Sequence, residues 1–267
     1  MNPISFISAN FVARELDYNM TEGWMQGDTA TQEFFKPIKT FEARFIAMLA
    51  EIKSMGFSSL DLWGAHLHPN WATPEHLGIA KNALREQGLT VTSLAAWCGD
   101  LEALEGFTRV ANALGTTIIA GGAPVLTQAR AETLHILRQT GVKIAIENHP
   151  EKNALEVLAQ IGSDHDLIGA APDTGWWGTQ NMDSPTALRE LGQHILIVHF
   201  KDVKEVGTHQ TCRFGDGIVN LKGSLEALQE IGYTGVLGIE HEPEEHNPRA
   251  DIVYSKTLLE TWLGGKR

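Results

Sequence analysis

Cysteine, basic charge and long apolar runs are all scarce in this chain, and each scarcity removes a class of protein. Cys98 and Cys212 are the two cysteines of 267 residues, far apart in sequence, so no disulfide framework is expected and a reducing cytoplasm is the expected compartment. Lys and Arg number 21 against 33 Asp and Glu, a formal net charge of −12 that no basic run offsets locally, so no nucleic-acid partner is expected. No apolar stretch reaches the ~18 residues of a membrane span. The first residues, MNPISFISANF, carry no basic segment ahead of an apolar core, so neither a membrane partner nor a secretory signal is expected. No Gly-rich dinucleotide fingerprint follows the first strand-like run. Gly215 and Gly217 suggest a tight turn, but no Gly-Lys-Ser/Thr stands beside them to make a P-loop. Linkers, low-complexity segments and internal repeats are absent too, so residues 1–267 are expected to form one domain.

What is present is a regular alternation. A hydrophobic content of 43% is enough to fill a large core. Short apolar runs at 4–9, 57–63, 89–95, 116–120, 142–147, 167–172, 195–200 and 235–240 read as strands. Helical spacing follows at 40–55, 73–87, 100–114, 126–140, 153–161, 184–192, 224–231 and 249–263, with Gly56, Gly88, Gly115 and Gly141 as stop signals. Eight such units predict an α/β protein with a parallel sheet closed into a (β/α)8 TIM barrel, with an open doubly wound sheet as the alternative. Residues 10–38 show no clear period but carry Tyr18, Trp24, Phe34 and Phe35, which suggests a functional loop or lid.

The strands end in chemistry. IAIENHP places Glu147, Asn148 and His149 at the end of one strand, AAPDTG ends in Asp173, ILIVHFKD in His199, Lys201 and Asp202, and GVLGIEHE in Glu240, His241 and Glu242. In a TIM barrel these ends share one mouth, together with Asp61, His66 and His68 from strand two. Alternation puts Glu147 on the face of Ala145, His199 on that of Ile197 and Glu240 on that of Gly238. Each residue alone has an ordinary structural explanation, a helix cap or a satisfied buried imidazole. Together, three carboxylates and an imidazole suit one divalent metal ion such as Mn²⁺, Mg²⁺, Co²⁺ or Zn²⁺.

IAIENHP, APDTG, VHFKD, GDGIVN and GIEHE, in this order, resemble the xylose isomerase-like TIM-barrel superfamily of sugar isomerases, epimerases and dehydratases, whose fold endonuclease IV shares. The resemblance spans nearly the whole chain, with 26 residues from Glu147 to Asp173 and 26 from Asp173 to His199. It implies Glu147, Asp173, His199 and Glu240 as ligands of one divalent metal. Two departures stand out. Ketose 3-epimerases of this superfamily carry a substrate-binding His three residues after the Asp, where this chain has Trp176. They also carry an Arg six residues after the His, where it has Glu205. Arg213 is the candidate replacement from the same loop. Endonuclease IV needs three zinc ions and a larger His set, one member of which falls in the region of Trp176.

The expected substrate is a small sugar or keto-sugar, contacted by His66, His149, Trp176, Lys201 and Arg213, with Trp63, Trp97 and Trp177 as further rim aromatics. His68 is assigned to the loop. Glu242 is the fallback ligand if the strand register slips by one pleat. The leading expectation is a sugar isomerase or epimerase in which Glu147 and Glu240 are the catalytic proton carriers and the reaction passes through an enediolate. A dehydratase or lyase acting on a keto-sugar, keto-glycoside or keto-inositol uses the same intermediate, with His149, His66 or Lys201 as leaving-group acid. A non-catalytic sugar-binding barrel is the third reading, disfavoured by the complete ligand set. The sequence leaves open a homo-oligomer and the identity of the sugar.

Overall fold

The computed structural model describes residues 2–264. Strands β1 (Ile4–Ile7), β2 (Ser59–Trp63), β3 (Thr90–Ala95), β4 (Ile118–Gly121), β5 (Lys143–Glu147), β6 (Ile168–Ala171), β7 (Val198–Val203) and β9 (Leu237–Glu240) are parallel. A two-residue strand, β8 (Thr211–Cys212), pairs antiparallel with β7. The order is β6-β5-β4-β3-β2-β1-β9-β7-β8. Two isolated bridges, Ala170 to Ile195 and Asp173 to His199, join β6 to the β7 segment and close the ring of eight parallel strands. The expected (β/α)8 architecture is present. Its seam is thin, because the seventh strand forms its continuous ladder only from Val198 onward.

The helices are α1 (Trp24–Phe35), α2 (Ile38–Ser54), α3 (Pro74–Gln87), α4 (Leu101–Leu114), α5 (Val125–Gln128), α6 (Arg130–Thr140), α7 (Ala154–Ile161), α8 (Thr174–Thr179), α9 (Ser184–Leu191), α10 (Leu221–Glu230) and α11 (Arg249–Gly264). Local chemistry sets their ends. Thr73 and His76 form a reciprocal capping pair at the start of α3, with Pro74 in the first turn. Asp100, Asn153, Asp183 and Asn220 each accept a backbone N–H at the starts of α4, α7, α9 and α10. Gly88 and Gly115 close α3 and α4 in the left-handed conformation that costs glycine nothing. The helix expected over 126–140 is two pieces, because Ala129 leaves helical geometry at φ −148° and ψ 56°.

The segment 10–38 is where the sequence reading fell short. It is not a loop throughout: two 3-10 turns, Ser8–Phe11 and Arg14–Leu16, lead to the twelve-residue helix α1. The buried face of α1 is Gly27, Thr31 and Phe35, so a helical stripe exists but two of its three members are small or polar. Gly27 lets α1 close on the chain ahead of it, since a Cβ there would overlap the Val12 carbonyl and the Met20 sulfur.

Apolar residues fill two regions. The large core lies between sheet and helices, from Phe6 and Phe45 to Leu237 and Leu259. Inside the barrel a small cluster of Ala120, Ala145, Ala171 and Ile197 underlies the mouth. Ala145 and Ile197 sit on the interior face, as strand alternation requires if Glu147 and His199 face inward.

The packing of α1 is testable. Gly27→Ala should destabilise the protein by ~1–3 kcal/mol through overpacking against Val12, read as a lower urea midpoint. An unchanged midpoint would show that α1 does not dock through Gly27.

Candidate active site

Four strand ends deliver the cluster. Glu147 ends β5 and Glu240 ends β9, while His199 and Lys201 are the second and fourth residues of β7. Asp173 follows β6 and caps α8: its Oδ1 accepts the N–H groups of Gly175 (2.8 Å) and Trp176 (3.1 Å). That leaves Oδ2 for the mouth. It accepts from His149 Nε2 at 3.2 Å and Lys201 Nζ at 3.0 Å.

His199 Nδ1 lies 2.6 Å from Glu147 Oε1 and 3.6 Å from Glu240 Oε2. Lys201 Nζ joins three strand ends through Asp173, Glu240 Oε1 (3.1 Å) and Glu242 Oε2 (3.1 Å). The structure therefore brings Glu147, Asp173, His199 and Glu240 together with His149, Lys201 and Glu242. Trp176 joins them from the side. Its ring packs on His149 with centroids 4.3 Å apart and stacks on His209 at 4.6 Å, and its Nε1–H is buried without a partner.

Burial and mutual charge set the protonation states. Burial pushes the Glu147 carboxyl up, but the positive charges of His149 and His199 outweigh it and hold it below the usual range. Asp173 is likewise held low, chiefly by Lys201 against its own burial. Glu240 goes the other way, pushed up to about 8 chiefly by burial, to which Glu242 and Asp173 add, against the lowering charges of Lys201 and His199. His199 is raised to about 10, because Glu147 and then Glu240 overcome the cost of burying its charge. Lys201 is held well above its ordinary value by Asp173, Glu240 and Glu242.

Other expected residues lie elsewhere. His66 is fully buried, with Nδ1 3.2 Å from Ser8 Oγ and its ring packed edge-on to Phe35 and Trp63. It makes no hydrogen bond or ion pair to the carboxylates. Arg213 is not drawn in: its Nε pairs with Asp216 Oδ2 at 2.8 Å and its guanidinium covers the Tyr254 ring on the exterior. An aspartate three residues on and an aromatic on α11 satisfy it where it is. Asp61 faces the barrel interior beside Gly238, a layer below Glu240, and accepts hydroxyl hydrogens from Ser5, Thr92 and Ser93. Trp177 is fully buried, and Trp63 lies under Trp24 with centroids 5.0 Å apart. Trp97 is exposed and rests over Gly122.

Several further residues hold the cluster in place, of which Thr174 and Asn10 carried no signal in the sequence. Asn148 locks Asp173 by donating to its carbonyl (3.1 Å) and accepting its N–H (2.6 Å). Thr174 accepts the Lys201 N–H and donates to the Lys201 carbonyl. Asn10 bridges the Ile239 carbonyl and the His241 N–H. Asp202 accepts the N–H groups of Gly215, Gly217 and Val219 and shapes the loop after β8.

The donor set fits a cation. Four carboxylates, Glu147, Asp173, Glu240 and Glu242, crowd one mouth, and Glu240 Oε2 is buried without a hydrogen bond. Single donor atoms of Glu147, His199 and Glu240 lie within 4.8 Å of one another. So do those of Glu147, His149 and Asp173.

Residues 49–258 match the family model of the xylose isomerase-like TIM barrel. The chain belongs to this family. Among curated members, an uncharacterized protein of Methanocaldococcus jannaschii is 31% identical over 144 residues, 50% of this chain and 46% of that one. L-ribulose-5-phosphate 3-epimerase UlaE of Salmonella paratyphi A is 27% identical over 192 residues, 67% of this chain and 65% of the relative. The matches thus span about half to two thirds of those relatives. Solved structures of similar fold include the IOLI protein with a binding zinc atom (TM-score 0.73, 16% identity, 99% of both chains). A Mycobacterium smegmatis protein in complex with magnesium also reaches 0.73, at 16% identity over 99% of this chain and 97% of that one.

One buried imidazole beside the site gives a pH signature. His241 Nε2 faces Asp251 Oδ2 at 3.2 Å, and Nδ1 faces Thr211 Oγ1, which also accepts the Glu242 N–H. Burial pushes its pKa down to about 4 despite Asp251. The folded value lies below the ~6.5 of an unfolded chain, so the unfolded state binds more protons between the two. Its contribution is intact above pH ~6.5 and is lost as pH falls toward 4, by at most ~3 kcal/mol. In the presence of a chelator, urea stability should fall across this window, and His241→Gln should flatten that part of the slope. An unchanged slope would show that His241 does not resist protonation.

Proposed function

We propose that this protein is a divalent-metal-dependent sugar isomerase or epimerase that moves a proton on the carbon next to a carbonyl. The observation that carries this reading is the pair Glu147 and Glu240, 2.6 and 3.6 Å from His199 Nδ1 in a buried mouth, within a family whose matched relatives include an L-ribulose-5-phosphate 3-epimerase. Glu147, Asp173, His199 and Glu240 are proposed to hold the metal, which when bound supplies Lewis-acid polarisation of the substrate carbonyl and its neighbouring hydroxyl.

The remaining work belongs to the chain. One of the two glutamates removes the proton and the other returns it, so the two need different protonation states in each half of the reaction. Without the metal, His199 Nδ1 is hydrogen-bonded to Glu147 Oε1 and lies at ion-pair distance from Glu240 Oε2, which keeps the two carboxylates at one point of the mouth. The Lys201 ammonium, held by Asp173, Glu240 and Glu242, carries positive charge to the place where an enediolate oxygen would develop negative charge. The Trp176 indole, braced by His149 and His209, is proposed as an aromatic wall of the sugar pocket, with its buried, partnerless N–H as a donor to a sugar hydroxyl. We read α1 and the turns before it as a cover: Trp24 donates to Glu242 Oε1 at 3.3 Å and leans on Trp63, which would keep water from the enediolate.

A dehydratase or lyase on a keto-sugar, keto-glycoside or keto-inositol is the second reading. Two observations favour it: Trp176 stands where the resembled epimerases have a histidine, and Arg213 is paired with Asp216 on the exterior rather than turned to the cluster. A mannonate dehydratase of Enterococcus faecalis matches 66 residues at 36% identity, 22% of this chain and 18% of that one. In that case His149 or Lys201 protonates the departing group.

Substitutions separate metal binding from proton transfer. Gln keeps the size of Glu and one acceptor oxygen but is not basic at neutral pH. Glu147→Gln and Glu240→Gln should retain much of the metal and lose turnover by ~10²–10⁴-fold. His199→Ala should lose metal and turnover together. Full activity in both Gln variants with metal bound would overturn the two-carboxylate mechanism.

A further inference from the structure

We propose that His241, His246 and Asp251 form a separate divalent-cation site, suited to Zn²⁺, between the loop after β9 and the first turn of α11. Three donor atoms converge there. His241 Nε2 lies 3.2 Å from Asp251 Oδ2, and His246 Nε2 lies 3.0 Å from the same oxygen. Single donor atoms of all three residues fall within 4.8 Å of one another. Ligands at tetrahedral zinc, about 2.0–2.1 Å from the metal, stand ~3.3 Å apart along each edge. Two of the three edges are therefore already near length, and a small rotation of the exposed His246 ring sets the third.

The donors are held unequally, as a loadable site requires. His241 is almost fully buried, and its ring is fixed from behind by Thr211 Oγ1 at 2.9 Å from Nδ1. With Nε2 on a cation, Nδ1–H donates to that hydroxyl oxygen and fixes the tautomer, the arrangement typical of metal-binding histidines. Asp251 is anchored on α11. His246 is largely exposed and brings the third ligand from the loop, leaving the remaining position to water. Two imidazoles and one carboxylate make a borderline donor set that prefers Zn²⁺ to Mg²⁺ or Ca²⁺.

This site is distinct from the barrel mouth. Glu240 faces inward, and alternation turns His241 to the opposite side of β9. The two are mechanically linked, because Glu242, the next residue, pairs with Lys201 and with Trp24. A cation here would fasten the 241–248 loop to α11 and so fix the position of Glu242.

Equilibrium dialysis of the full-length chain against Zn²⁺, with bound metal counted by mass spectrometry, tests the proposal. His246→Ala removes an exposed ligand, so the variant should fold. Loss of a mere outer partner costs ~10–100-fold in metal affinity, so loss of this ligand should weaken one site by at least ~100-fold and lower the count by one ion per chain. Asp251→Asn should do the same. His199→Ala should keep this ion whatever happens at the barrel mouth, and Co²⁺ bound to it should show tetrahedral visible absorption that His246→Ala abolishes. Equal zinc counts in wild type and His246→Ala, or cobalt absorption indifferent to His246, would overturn the proposal without bearing on the barrel-mouth reading.

Discussion

Four carboxylates at the mouth of one barrel repel one another, and everything around them compensates that repulsion. Burying a carboxylate costs several kcal/mol unless it is paired and hydrogen-bonded. Lys201 pairs with three of the four and His199 bridges the two glutamates at the ends of β5 and β9. The compensation is incomplete. Glu240 is left with a raised pKa and an oxygen without a hydrogen bond, the point at which a further positive charge is most favourable.

The fold meets this constraint with rigid elements. Each acid stands at or just beyond the end of a strand, where the ladder fixes its backbone, and small interior residues leave room above Ala120, Ala145 and Ala171. Side chains that never reach the mouth hold those that do. Asn148 pins Asp173, Thr174 pins Lys201, Asn10 ties β9 to the first turn of the chain, and Asp202 gathers the loop after β8. Replacing any of these would leave buried backbone groups without partners, so their effects should pass through position rather than chemistry.

The barrel was legible because eight apolar runs alternate with amphipathic segments, and the cluster was legible because its members end those runs. Glu147, Asp173, His199 and Glu240 needed only the topology to be brought together. Residues whose partners are distant in sequence were harder. The three-way pairing of Lys201 joins β6, β7 and β9, and no local pattern announces it. Helix α1 was missed because Gly27 and Thr31 face its core side, so hydrophobic period, the primary signal of a helix, was absent. The same omission hid the surroundings of His66, whose pocket is completed by Phe35 from α1. Arg213 could have been read correctly, since Asp216 stands three residues away in the same turn.

The central claim is that this cluster removes a proton next to a sugar carbonyl. NMR in D₂O, with metal-loaded protein and a panel of ketoses, inososes and 3-keto-glycosides, reads that step directly. The account predicts deuterium entering the carbon beside the carbonyl of at least one compound, with inversion for an epimerase or loss of the neighbouring substituent for a lyase. Absence of exchange into every member of the panel, with the metal bound, would contradict it.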